Sequence, residues 1–162
     1  MPATAIRPAT ASDVPVILAF IRELAEYERL SHEVTATEEL LATALFGPRP
    51  EAEVLIAWAD GAPVGFALFL TNFSTFLARP GLYLEDLFIR PAYRGLGLGK
   101  RLLIEVARLA VARGCGRYEW SVLDWNTPSI RFYESLGAEM HADWRRMRVT
   151  GAALEQLARR AP

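Results

Sequence analysis

Cysteine and histidine are scarce in this sequence of 162 residues, which contains one cysteine, Cys115, and two histidines, His32 and His141. A single cysteine excludes a disulfide within the chain and a cysteine-rich zinc site. So few histidines also argue against a catalytic metal bound by the protein, and we expect none.

Long apolar runs and an excess of one charge are missing as well. No run reaches the length of a membrane helix, and the N-terminus has no signal-peptide core, so we expect a cytoplasmic protein without a membrane partner. The chain has 18 basic and 19 acidic residues, which gives a formal net charge of -1. Proteins that bind nucleic acid usually carry a basic excess or a basic face, so nucleic acid is not an expected partner.

The composition and the length are those of one globular domain. Hydrophobic residues make up 52% of the chain and charged residues 23%, which is close to the average for globular proteins. The chain is long enough for one domain with a substantial core and too short for two typical domains. The sequence therefore predicts a single domain that spans residues 1–162.

Helix and strand patterns alternate along the chain. Apolar residues at helical spacing predict a helix from Ser12 to about Glu28, and Asp60-Gly61 predicts a hairpin turn between two strand-like runs. The other predicted elements are strands at 4–7, 81–89, 116–123 and 140–149 and helices from 37, at 98–113, from 127 and at 151–159. This order predicts a mixed α/β domain in which the strands on either side of the 98–113 helix are parallel.

A glycine-rich turn, Arg94-Gly95-Leu96-Gly97-Leu98-Gly99, joins the 81–89 strand to the next helix. A helix N-terminus offers unpaired N–H groups and a partial positive charge, and bare backbone can approach phosphate oxygens closely. The turn therefore predicts a phosphate site, with a merely flexible connection as the alternative. Two nucleotide motifs are excluded, because Arg94 stands where a P-loop needs glycine and Lys100 where the dinucleotide fingerprint needs it.

The same turn resembles the acetyl-CoA signature of the GCN5-related N-acetyltransferase (GNAT) family, and "LDWNTPSIRFYESLGA" follows it as that family's second motif should. Together with "IRPAT", "ELAEYE" and "YLEDLFI", these stretches are similar to the diamine acetyltransferase branch, which contains spermidine/spermine and thialysine N-acetyltransferases. The resemblance implies a twisted mixed sheet of about six to seven strands with helices on both faces. It also implies acetyl-CoA as co-substrate, no metal, and a homodimer.

The resemblance implies two catalytic residues. Glu85 is the expected general base, acting through a water molecule, and Tyr133 the expected general acid. The residues alone favour a structural carboxylate in an ion pair for Glu85 and a half-buried core residue for Tyr133. Strand alternation predicts that Glu85 and Asp86 point to opposite faces of the sheet; the role of Asp86 stays open between substrate contact and scaffold.

The resemblance further implies three groups of acetyl-CoA contacts. They are the strand residues Leu87, Phe88 and Ile89, the turn residues Arg94, Gly95, Leu96, Gly97, Leu98, Gly99 and Lys100, and the helix residues Asn126, Ser129 and Tyr133. Backbone N–H groups of the strand are expected to pair with the pantetheine, and the one near Leu87 to polarise the thioester carbonyl. Plain helix capping is an alternative role for Asn126 and Ser129.

The amine site is expected at Tyr27, Glu28, Glu85 and Asp86, since aromatic and acidic groups suit an ammonium ion. A solvated helix end is the alternative for Tyr27 and Glu28. Arg79 is a candidate partner for a substrate carboxylate.

The sequence thus predicts an acetyl-CoA-dependent N-acetyltransferase that acts on a primary amine of a small molecule, such as a diamine, thialysine or a related amino acid, by direct transfer in a ternary complex. A transferase for protein N-termini or lysines and a non-catalytic acetyl-CoA sensor are the alternatives.

Overall fold

A computed structural model describes residues 1–160, in which five strands form one mixed sheet. The strands are β1 (Thr4–Pro8), β2 (Glu53–Ala59), β3 (Ala62–Ser74), β4 (Arg79–Ile89) and β5 (Arg117–Trp120). Their order in the sheet is their order in the chain. Strands β1 to β4 pair antiparallel, whereas β4 and β5 pair parallel, which confirms the predicted parallel pair.

Five α-helices accompany the sheet in the described residues. They are α1 (Val14–Tyr27), α2 (Glu38–Phe46), α3 (Leu98–Ala112), α4 (Thr127–Ser135) and α5 (Gly151–Ala158). The chain separates into two compact units, the first comprising Met1–Ser121 and the second beginning at Val122. The sheet and helices α1 to α3 belong to the first unit, and α4 and α5 to the second.

Local signals explain most of the boundaries. A turn of 3-10 helix at Ala11–Asp13 precedes α1, so this helix begins two residues after the predicted Ser12. The Thr37 hydroxyl accepts a hydrogen bond of 3.2 Å from the N–H of Leu40 and caps α2. Asp60 and Gly61 have φ values of 47° and 79°, as a tight two-residue hairpin between β2 and β3 requires.

Helices α1 and α3 cover opposite faces of the sheet. The ring of Phe20 on α1 stacks on Phe66 of β3 with centroids 5.4 Å apart and lies 6.4 Å from the ring of Phe88 on β4. A Cβ atom at Gly99, at the start of α3, would lie 3.7 Å from the side chain of Ile89. Phe88 and Ile89 are neighbours on β4 and point to opposite faces, so each helix has its own face.

One predicted strand is wrong. Residues 140–149 contain no strand and every one of them is exposed, although apolar residues alternate there with polar ones. The second unit has no other strand among its described residues, and a strand without a hydrogen-bonded partner is not stable in water. The sheet therefore has five strands instead of the predicted six to seven, while the mixed α/β architecture is confirmed.

Candidate active site

Strand β4 loses one of its two neighbours halfway along its length. It pairs with β3 from Arg79 to Ile89, but with β5 only from Gly81 to Leu84. In the first unit β5 ends at Trp120, which is the partner of Leu84. The second half of β4 therefore has an edge that no strand of this unit covers.

Main-chain groups of Leu87 and Ile89 face that edge. The N–H of Arg90, directly after β4, donates to the carbonyl of Val64 on the β3 side with a distance of 2.9 Å. Successive peptide groups of a strand point to alternate edges, so the N–H groups of Leu87 and Ile89 point away from β3. The carbonyl of Ile89 also points away from β3, since it accepts a hydrogen bond from the side chain of Arg94.

A β-bulge lies at Glu85. On β3 the neighbours Leu68 and Phe69 pair with Asp86 and Leu84, which leaves Glu85 as the extra residue of β4. Bulges bend a strand and redirect side chains, and they are frequent beside active sites. The simple alternation predicted for Glu85 and Asp86 therefore does not run through the strand.

Three carboxyl groups interact around this bulge. Burial, together with the negative charges of Glu85 and Glu28, raises the pKa of Asp86 to about 7. Burial also raises the pKa of Glu28, the residue that caps the C-terminus of α1. The structure thus brings together the acidic residues predicted for an amine site. Clustered carboxyl groups in a partly buried place attract a cation, whose charge relieves their mutual repulsion.

The glycine-rich turn leads from β4 into α3 as predicted. Gly95 and Gly97 have φ values of 82° and 74°, in the left-handed region that glycine adopts without strain. A Cβ atom at either residue would meet nothing within 4 Å, so the outer side of the turn is open. The first bond of the α-helical type at this end runs from the N–H of Arg101 to the carbonyl of Gly97, at 3.0 Å. The N–H groups of Leu98, Gly99 and Lys100 are left for an outside acceptor.

These features fit the diphosphate and pantetheine of a CoA molecule. The first turn of α3 contains no acidic residue, so nothing opposes an anion at the positive end of the helix. The uncovered edge of β4 offers main-chain donors and acceptors in line with that turn. Leu87 and Ile89 would hold the pantetheine, and the 95–100 turn would hold the phosphates.

Two arginines, one before the turn and one at its first position, are directed towards α1. Arg90 makes a bidentate ion pair with Glu23, with N–O distances from 2.8 to 3.2 Å. The guanidinium carbon of Arg94 lies 5.1 Å above the ring of Tyr27. The pair of Arg90 and Glu23 is not evident from the sequence, because these residues are 67 positions apart and no local pattern connects them.

Helix α4 in the second unit carries the remaining predicted residues. The Oδ1 atom of Asn126 accepts a hydrogen bond of 3.4 Å from the N–H of Ser129, and Asn126 is buried. This confirms the capping role proposed for the pair. Tyr133 is half-buried and its ring lies 5.3 Å from that of Phe132.

Arg79 lies at the opposite end of β4 from the carboxyl cluster, which consists of Glu28, Glu85 and Asp86. It begins the strand six residues before Glu85, a separation of about 20 Å in an extended chain. Binding of a substrate carboxylate by Arg79 would therefore require a long, extended substrate.

Residues 1–160 contain neither a membrane-spanning helix nor a cluster of potential metal ligands. No helix there is long and apolar enough to cross a membrane. That part of the chain also has no group of three or more histidine, cysteine, aspartate or glutamate residues arranged to hold a metal ion.

Comparison with known proteins agrees with this geometry. The model of the acetyltransferase (GNAT) family matches residues 18–138. Thialysine N-epsilon-acetyltransferase of Mus musculus is 39% identical over 99% of this chain and 100% of that protein. L-ornithine N5-acetyltransferase NATA1 of Arabidopsis thaliana is 36% identical over 94% of this chain and 86% of that protein.

A solved structure has a similar fold. Integron cassette protein VCH_CASS6 of V. cholerae superimposes with a TM-score of 0.81 at 25% identity, over 97% of this chain and 98% of that one. The curated relatives confirm the predicted diamine acetyltransferase branch. The chain belongs to the GNAT family of acetyltransferases, whose acetyl donor is acetyl-CoA.

Proposed function

We propose that the protein transfers the acetyl group of acetyl-CoA to a primary amine of a small, cationic molecule. The cluster of Glu28, Glu85 and Asp86 beside the uncovered edge of β4 carries this proposal. It places negative charge for an ammonium ion next to main-chain groups suited to a pantetheine. The curated relatives named for thialysine and L-ornithine support a diamine or a diamino acid as the acceptor.

Acetyl-CoA supplies the acetyl group as a thioester. We assign polarisation of the thioester carbonyl to the N–H of Leu87, because a fixed donor stabilises negative charge that develops on the oxygen. Phe88 and Ile89 continue the strand that lines the pantetheine. The residues proposed to hold the rest of the CoA molecule are the turn Arg94–Lys100, through its backbone above all, and Asn126, Ser129 and Tyr133 on α4.

Proton transfer is the chemical task of the side chains. An alkylammonium must lose a proton before its nitrogen can attack, and we assign this step to Glu85 acting through water. Asp86, with a pKa of about 7, is well matched to share that proton at neutral pH. Tyr133 is proposed to protonate the departing thiolate, which its phenol can do as a hydrogen-bond donor. Transfer is direct, within a complex that holds both substrates.

An assay of thiol release from acetyl-CoA tests the proposal. The acceptor panel is thialysine, lysine, ornithine, putrescine and spermidine, together with a peptide that has a free N-terminus and a lysine. We expect turnover with a small diamine or diamino acid, and a loss of about 100-fold in Glu85→Gln. Turnover with the peptide alone would favour a protein acetyltransferase. Tight CoA binding without turnover of any amine would favour a non-catalytic sensor and overturn the proposal.

Further proposals follow from the composition of the chain and, for the homodimer, from the family resemblance. We propose a homodimer located in the cytoplasm, with residues 1–162 as one domain and without nucleic-acid or membrane partners. Light scattering of the purified protein distinguishes a dimer from a monomer.

A further inference from the structure

The side chain of Arg94 leaves the glycine-rich turn and contacts two other elements. Its Nε–H donates a hydrogen bond of 3.0 Å to the carbonyl of Ile89 at the end of β4. Its guanidinium carbon lies 5.1 Å from the ring centre of Tyr27 and 5.9 Å from that of Phe88. Both distances are within the range of a cation–π contact. One side chain of the turn therefore connects the end of β4 with the last residue of α1.

Arg90 makes a separate connection one turn earlier on α1. Its guanidinium binds Glu23 and the carbonyl of Pro63, the latter at 3.1 Å, and lies 4.9 Å from the ring centre of Phe20. These contacts hold the body of α1 against the sheet. In the last turn of the helix, which follows Glu23, Leu24 is buried in the core that contains Phe88. Arg94 adds the contact between Tyr27 and the end of β4.

The position of that last turn determines where Glu28 lies. Glu28 follows Tyr27 directly, and the next residue, Arg29, has a left-handed φ of 62°, so the chain reverses at this point. The negative charge of Glu28 helps to raise the pKa of Asp86, so the two carboxyl groups lie close enough to interact. A shift of Tyr27 would therefore move one member of the carboxyl cluster relative to the others.

We propose that the side chain of Arg94 is a positioning residue for the amine: it fixes Tyr27 and Glu28 against β4, while the backbone of the same turn binds the acetyl donor. This inference rests on the proposed function. It assigns different roles to the main chain and the side chain of one residue. The main chain of Arg94 belongs to the donor site, and the guanidinium supports the acceptor site.

Lys100 provides the matched comparison, because it is a second cation of the same turn and is exposed in the first turn of α3. A cation there faces the expected phosphates. Lys100→Ala is expected to weaken CoA binding about fivefold and to leave the KM of the amine within about twofold. The opposite pattern is expected for Arg94.

The experiment measures the KM of the best amine of the panel and the Kd of CoA by calorimetry. The variants are Arg94→Gln, Arg94→Lys, Tyr27→Leu and the double variant Arg94→Gln/Tyr27→Leu. Arg94→Gln should raise the amine KM about tenfold and change the CoA Kd less than threefold. Arg94→Lys should recover part of the loss, since an ammonium group also binds an aromatic face. The double variant should be little worse than either single one, because both remove the same contact.

The inference fails if Arg94→Gln weakens CoA binding as Lys100→Ala does and leaves the amine KM unchanged. Additive effects of Arg94→Gln and Tyr27→Leu would also overturn it. If the wild type acetylates no amine, the proposed function fails, and amide hydrogen exchange then tests the contact alone. Arg94→Gln should speed exchange at residues 24–28 relative to wild type and Lys100→Ala; equal rates in all three would refute the contact.

Discussion

Replacing Asp86 with asparagine is expected to stabilise the fold at alkaline pH. Burial, followed by the charges of Glu85 and Glu28, raises the pKa of Asp86 from 3.8 to about 7. Between these two values the folded chain retains a proton that the unfolded chain has already released. The free energy of unfolding must then decrease as the pH rises through this window.

The size of the effect follows from the pKa difference. A difference of about three units, at about 1.4 kcal/mol per unit, sets an upper limit of about 4 kcal/mol. The destabilisation caused by ionising Asp86 is absent below about pH 4 and complete above about pH 7. Asparagine has a similar shape and cannot ionise, so Asp86→Asn should match the wild type near pH 4 and exceed its stability at pH 8.

Denaturant unfolding at several pH values between 4 and 8 measures this difference. Glu51→Gln is the control, because Glu51 is exposed and lies outside the strands and helices. The reasoning is refuted if wild type and Asp86→Asn lose the same free energy of unfolding between pH 5 and pH 8.

A binding experiment connects the same carboxyl to function. An ammonium ion close to Asp86 lowers its pKa. At pH 7 amine binding should therefore release about half a proton. Calorimetry in two buffers with different ionisation enthalpies measures this release, and Asp86→Asn should abolish it.

Other substitutions test other parts of the structure. Tyr133→Phe should lower kcat about 100-fold and leave the Kd of CoA within about threefold; equal losses in both would assign Tyr133 to binding alone. Gly97→Ala places a side chain at a φ of 74°, so calorimetry should show weaker CoA binding and thermal unfolding a loss of about 1 kcal/mol. Gly65→Ala should destabilise the fold by about 1–3 kcal/mol, because its Cβ would collide with the carbonyl of Phe88 and the side chain of Ile89. An unchanged melting temperature would contradict that contact.

The sequence was sufficient to predict features that depend on neighbouring residues. Asp60-Gly61 marks its hairpin because only certain residues accept positive φ, and the glycine-rich turn marks the start of α3 for the same reason. The apolar spacing of α1 and α3 predicts both helices. The resemblance to a family added the expected roles of Glu85 and Tyr133, which no local pattern assigns, and those roles stay predictions.

Features that depend on distant residues could not be predicted. The bulge at Glu85 exists because Leu68 and Phe69 of β3 pair with residues two apart on β4, and the β4 sequence alone contains no sign of this. The contact between Arg94 and Tyr27 likewise joins residues far apart in the chain. The prediction of a strand at 140–149 is wrong for a related reason, since a strand-like pattern does not show whether a partner strand is present.

The bulge at Glu85 also determines how β4 tolerates changes in length. Before it, Leu82 and Leu84 share a face with the residues that α3 covers, whereas after it Asp86 and Phe88 face α1. The two halves of the strand are thus out of phase by one residue. Deleting Glu85 would remove this extra residue, so that Leu84 and Asp86 would pair as neighbours with Phe69 and Leu68 and each half of the strand would keep its face. The packing on the two faces therefore does not require Glu85, and what the extra residue adds is the bend of β4 beside Glu28 and Asp86.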